Sequence, residues 1–128
     1  MQIEKHITEM IECIESTYSV KVLFAIENGS RAWRIESSDS DYDVRFVFVR
    51  PTDDYIRLNK LQDVIELKHE ILNIDMVGFD LHKFLNLLSQ SNPTVIEWLT
   101  SDIKWHGYVP ENLKAWSITS FNPKALFL

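Results

Sequence analysis

The sequence predicts an α+β fold, a mixed and twisted β-sheet backed by helices, and three observations lead there. Two apolar runs, Val20-Lys21-Val22-Leu23-Phe24-Ala25-Ile26 and Val44-Arg45-Phe46-Val47-Phe48-Val49, carry the β-branched and aromatic residues that suit a largely buried strand. Two shorter runs, Val64-Ile65-Glu66-Leu67 and Ile71-Leu72-Asn73-Ile74-Asp75-Met76-Val77, read as a hairpin about Lys68-His69-Glu70. Around them apolar residues recur at helical spacing, as in Ile3, Ile7, Met10, Ile11 and Ile14.

The elements follow in order. A first helix over residues 2–17 leads to a strand over 20–26, which ends in the turn Glu27-Asn28-Gly29-Ser30. A short helix is expected over 31–35 and a second strand over 42–49. Pro51-Thr52-Asp53-Asp54 then opens a charged segment in which Thr52 or Asp53 caps a short turn. After the hairpin, Asp80 is the natural N-cap of a helix over 81–90. Asn92 caps the next helix, which takes Pro93 in its first turn and runs through Val95-Ile96-Glu97-Trp98-Leu99, with Glu97 on its surface.

Composition narrows the function classes. With 128 residues, 45% hydrophobic and 25% charged, the chain has the apolar material for one ordinary core and is not of disordered type. A formal net charge of -6 and a pI near 5.1 argue against a general electrostatic grip on nucleic acid, leaving only a local basic patch around Arg31, Arg34, Arg45 and Arg50. Cys13, the sole cysteine, is expected to be buried in the first helix and can form no internal disulfide. No stretch resembles a signal core or approaches the ~20 apolar residues of a membrane helix, so a soluble cytoplasmic protein with no membrane partner is expected. His69, His82 and His106 are scattered without metal-site spacing.

The chemistry concentrates in two short motifs. Gly29-Ser30 closes a strand and precedes a helix start, so backbone N–H groups and the positive end of a helix dipole face the same place, an arrangement suited to a triphosphate. Eleven residues further on, Asp41-Tyr42-Asp43 heads the second strand. Alternate residues of a strand point the same way, which sets Asp41 and Asp43 on one face roughly 6 to 7 Å apart. Magnesium suits such a pair, since it takes few protein carboxylates together with water and phosphate oxygens, and manganese has the same ligand preference. Either motif alone is unremarkable, a common turn and a solvated acidic loop. Together they differ, because Asp39, Asp41 and Asp43 crowd before a buried strand and repel unless a cation, or Arg31, Arg34 or Arg45, neutralises them.

Gly29-Ser30-Arg31-Ala32-Trp33 followed by Ser37-Ser38-Asp39-Ser40-Asp41-Tyr42-Asp43-Val44-Arg45-Phe46 resembles the signature of predicted nucleotidyltransferases in the DNA polymerase β superfamily, in the branch associated with RNA repair genes. The likeness continues through Ile74-Asp75-Met76-Val77-Gly78-Phe79-Asp80-Leu81-His82-Lys83-Phe84 and Ser91-Asn92-Pro93-Thr94-Val95-Ile96-Glu97-Trp98-Leu99, and so covers most of the chain. The resemblance implies the polymerase β-like fold, with Gly29, Ser30 and Arg31 contacting an incoming nucleoside triphosphate such as ATP and three carboxylates holding two divalent ions. Asp41 and Asp43 match the paired carboxylates. Asp75 is preferred as the third and as general base, because it lies within a strand-like run while Asp80 is accounted for as a cap. Arg34 departs from the family pattern, which has Gly there; it strains a left-handed turn by about 1 kcal/mol or else serves as a phosphate ligand.

The resemblance further implies a catalytic core over residues 1–90 and the start of a C-terminal helical region over 91–128 that looks incomplete. The apolar end Phe121-Asn122-Pro123-Lys124-Ala125-Leu126-Phe127-Leu128 is expected to pack against a second copy or another chain. The acceptor is an RNA end, a protein side chain or a small molecule. The other class of function is a catalytically weak, truncated copy acting as a binding or antitoxin-like interaction module.

Overall fold

The stripe Ile7, Met10, Ile11 and Ile14, none more than 9% exposed, gives the helix Gln2–Tyr18 (α1) one face to bury. Each isoleucine removed from water there contributes about 1.5–3 kcal/mol. The computed structural model describes residues 2–28 and 41–111. The short helix expected over 31–35 and the apolar end 121–128 lie outside the described residues. Cys13 is exposed rather than buried, with its thiol 3.8 Å from the Thr17 hydroxyl, because it sits off the α1 stripe.

Among the described residues five strands form one sheet: Lys21–Asn28 (β1), Tyr42–Val49 (β2), Val64–His69 (β3), Ile74–Asp80 (β4) and Lys104–Gly107 (β5), in the spatial order β3-β4-β2-β1-β5. β2 and β4 run parallel and the other neighbours antiparallel, so the sheet is mixed as expected. Helices cover both faces. α1 packs on Val22, Ala25, Val44, Phe46, Phe48, Ile65, Ile74 and Met76. The helices Leu81–Ser89 (α2) and Pro93–Thr100 (α3) pack Phe84, Leu88, Val95, Trp98 and Leu99 against Phe24, Ile26 and Val47 on the other side. The expected caps are in place: Asp80 accepts from the His82 N–H and Asn92 from the Thr94 N–H.

Two further expectations need correcting. The hairpin turn comes later than Lys68-His69-Glu70, since β3 continues to His69 and β4 begins only at Ile74; Asn73 adopts φ 53°, a left-handed conformation that asparagine tolerates better than most residues. Neither Thr52 nor Asp53 caps the 3-10 turn Thr52–Tyr55, which Pro51 precedes with no side-chain hydrogen bond. β5 was not foreseen.

At the end of β2, Arg50 is 8% exposed, and its guanidinium donates to the Gln62 carbonyl at 2.9 Å and lies over the Phe48 ring. The Tyr55 hydroxyl accepts from the Arg50 N–H at 2.8 Å and donates to Asp80 Oδ2 at 2.9 Å. Tyr55→Phe strands both groups, so a loss of about 1–3 kcal/mol is expected from urea unfolding midpoints. An unchanged midpoint would show that the bridge contributes nothing.

Candidate active site

The sheet register builds the site. Asp43 on β2 pairs with Asp75 on the parallel strand β4, Lys68 on β3 stands beside Asp75, and Asn28 on β1 stands beside Asp43. These four positions form one row across the sheet. Adjacent strands lie about 4.8 Å apart, so in-register residues on neighbouring strands present their side chains to the same space. The two carboxylates share the sheet face that carries Val47 and Phe79, beyond the part that α2 and α3 cover, and remain 33% and 40% exposed. An open rim of two acidic groups results.

Arg45, two residues after Asp43 on the same face, supplies the counter-charge. Its Nη2 is 4.0 Å from Asp43 Oδ1 and 3.6 Å from Asp75 Oδ2. Its Nη1 donates to the carbonyls of Val44 at 3.1 Å and Asp75 at 3.2 Å, which pins the guanidinium in place. Burial lifts the Asp43 carboxyl above its ordinary value; Arg45 pulls the other way, and the charges of Asp75 and Asp41 add to the lift. Asp41, exposed and just ahead of β2, is thus near enough to act on Asp43.

The head of β2 is fixed from both sides. The Tyr42 N–H donates to the Asn73 carbonyl at 2.8 Å, and the Asp43 N–H donates to Glu27 Oε2 at 2.8 Å. Glu27 is fully buried, and its Oε1 accepts from Trp105 Nε1 at 3.0 Å. Sequence reading treated Glu27 only as the entry to a turn; no local pattern marks a glutamate whose partners lie 16 and 78 residues away.

Asp43 and Asp75 are therefore brought together, with Asp41 at the mouth. Gly29, Ser30, Arg31 and Arg34 lie outside the described residues. Asp80 sits at the other end of β4, 5% exposed, with Oδ1 accepting from the His82 N–H and Oδ2 from the Tyr55 hydroxyl. The local basic patch does not include Arg45 and Arg50 as neighbours: Arg45 serves the carboxylates and Arg50 is buried beyond the far end of β2. Glu97 is exposed on α3. Among the described residues no cluster of three or more His, Cys, Asp or Glu side chains is gathered as a metal site. The donors that do meet, two carboxylates of which one is raised by burial and by its neighbours, are hard oxygen ligands of the type that magnesium takes in small number. To that extent they fit a divalent ion.

Paired carboxylates on the open rim of a mixed sheet suit divalent-cation and phosphate chemistry. The chain belongs to the RNA repair pathway DNA polymerase beta family, RlaP, whose model matches residues 3–128. It is 40% identical over 125 residues to the uncharacterized protein YcgL of Bacillus subtilis (strain 168), an alignment that takes in 95% of this chain and 47% of that protein. The chain thus spans about half the length of the curated relative it matches. No solved structure matches. No helix among the described residues is long and apolar enough to cross a membrane.

Proposed function

We propose that this chain transfers a nucleoside monophosphate from a nucleoside triphosphate to a hydroxyl acceptor, with release of pyrophosphate. The observation that carries the reading is the in-register pairing of Asp43 with Asp75 on parallel strands, on one partly exposed face. The family's link to RNA repair makes the hydroxyl of an RNA end the first acceptor to test.

Asp41, Asp43 and Asp75 would hold two magnesium ions, with manganese as a substitute of the same ligand type. When bound, the ions supply charge neutralisation on the triphosphate and lower the cost of ionising the acceptor hydroxyl. Asp75 takes the acceptor proton. The freed oxygen then bonds to the α-phosphorus, the bond from that phosphorus to the bridging oxygen breaks, and pyrophosphate departs with the electron pair. Gly29, Ser30 and Arg31 orient the triphosphate. Arg45, held by two carbonyls, is a fixed positive charge that keeps Asp43 and Asp75 from driving each other apart.

A second reading, an interaction module with weak or no catalysis, draws on the same Arg45: a guanidinium already facing both carboxylates competes with a cation for them. Transfer of label from each of the four nucleoside triphosphates to RNA or to co-purifying protein separates the two. Labelled product from the wild type, reduced by on the order of a hundredfold or more in Asp75→Asn, supports the transferase. A stable complex with no labelled product from any triphosphate supports the module.

A further inference from the structure

Glu27 is a carboxylate removed from water, 0% exposed at the penultimate position of β1. Two N–H donors from different strands converge on it, the Asp43 backbone on Oε2 at 2.8 Å and the Trp105 indole on Oε1 at 3.0 Å. Its backbone is held as closely: the Glu27 N–H donates to the Ile103 carbonyl at 2.9 Å, and its carbonyl accepts from the Ser101 hydroxyl at 2.5 Å. A buried carboxylate is costly unless its oxygens are hydrogen-bonded, so both acceptors matter.

The placement is informative because of what it holds. Tyr42 directs its N–H toward β4, and Asp43 directs its own toward β1, where the Glu27 side chain takes it in place of a strand carbonyl. Asp43 is thereby anchored at the nitrogen bonded to the Cα that carries its side chain. We propose that Glu27 is a positioning residue of the site: it fixes the start of β2 and so sets the Asp43 carboxylate beside Asp75. The inference rests on the transferase reading above. Trp105, Ser101 and Ile103 extend the same anchor to β5 and the segment before it.

The requirement for two acceptors makes the idea testable. In Glu27→Gln the side-chain volume is kept, but one end of the amide is a donor and must confront either the Asp43 N–H or the Trp105 indole N–H. The expected result is a fall in kcat of about tenfold or more, with KM for the triphosphate within about twofold and faster hydrogen exchange at the Asp43 amide. Replacing Trp105 by Phe in that background removes one donor, so the amide can turn its oxygen to Asp43. Glu27→Gln with Trp105→Phe is therefore expected to recover most of the lost kcat and to slow the Asp43 exchange again. A purely structural glutamate gives no such recovery from a second core change.

Wild-type kcat in Glu27→Gln would overturn the inference, as would a double variant that protects the Asp43 amide and stays as slow as the single one. Should Glu27→Gln not fold, Glu27→Asp keeps the charge and shortens the reach by one methylene. A lower kcat at unchanged KM is then expected, and an unchanged kcat overturns the assignment. A wild type with no metal-dependent transfer sinks the preceding functional reading and takes this one with it, whereas an active wild type with an indifferent Glu27 sinks this one alone.

Discussion

Asp43→Asn is expected to abolish metal-dependent triphosphate binding while making the metal-free protein more stable. Both effects come from one side chain. Its carboxyl is raised above the ordinary value chiefly by burial, with Arg45 opposing and Asp75 and Asp41 reinforcing, so its ionised form is disfavoured in the folded chain. The sign for stability follows from linkage. Below the unfolded value both states hold the proton and no cost exists; as pH rises, the unfolded chain ionises first and folding stability falls until the folded carboxyl has also ionised. Asn has no such titration. Its advantage is therefore absent in acid, grows through the carboxylate range and is constant above the raised folded value.

The gain is small, below about 1 kcal/mol, because solvent screens a side chain that is 33% exposed. The functional loss is large, on the order of a hundredfold or more in transfer, because a neutral amide replaces a charged ligand. Calorimetric titration of manganese with ATP and thermal melts between acid and neutral pH check both halves. Unchanged affinity in Asp43→Asn would remove Asp43 from the site. Wild-type affinity should likewise weaken on acidification before an ordinary carboxylate would begin to protonate, since the ligand form of Asp43 is lost sooner.

Gly78→Ala is expected to cost about 1–3 kcal/mol or more, for reasons confined to the opposite face of the sheet. Gly78 pairs with Phe46 across β4 and β2, and a Cβ added there would meet the Phe46 ring at 2.1 to 2.4 Å. The ring has little room to yield, since Phe46 is 0% exposed in the cluster under α1 and lies 6.1 Å, centroid to centroid, from Phe48. A fall in the melting temperature of about 5 °C or more follows for a domain of this size. Gly78 lies on the α1 face and the carboxylates on the other, so manganese affinity measured well below the melting point should match wild type. A melting temperature within a degree of wild type would mean the core repacks freely around Phe46.

Much of the fold could be read from the chain because its strands carry their own signal. Val44 to Val49 and Ile74 to Val77 are apolar enough to be strands wherever they pair, and Asp80 and Asn92 mark helix starts by a local hydrogen bond. Cys13 was misplaced because helical geometry puts it roughly 100° from Ile14 and roughly 200° from Ile11, away from the stripe. β5 escaped notice because Lys104-Trp105-His106-Gly107 is short, holds a single large apolar side chain, too few for a strand pattern to register, and is a strand by virtue of pairing with β1. Asp43 and Asp75 were each readable as strand residues. Their register, and the Glu27 contact behind them, depend on pairings between distant segments that no local pattern encodes.

The link from Trp105 to Glu27 joins residues 78 apart, which sets a timetable for synthesis. As the chain leaves the ribosome, β1, β2 and the β3-β4 pair can zip together early, yet the anchor beneath Asp43 is only half made until the tryptophan has emerged. Closing so long a loop is slow compared with local pairing. The newborn protein should thus acquire most of its sheet before Asp43 is fully held, and slowed hydrogen exchange at the Asp43 amide would serve as a gauge that β5 has docked.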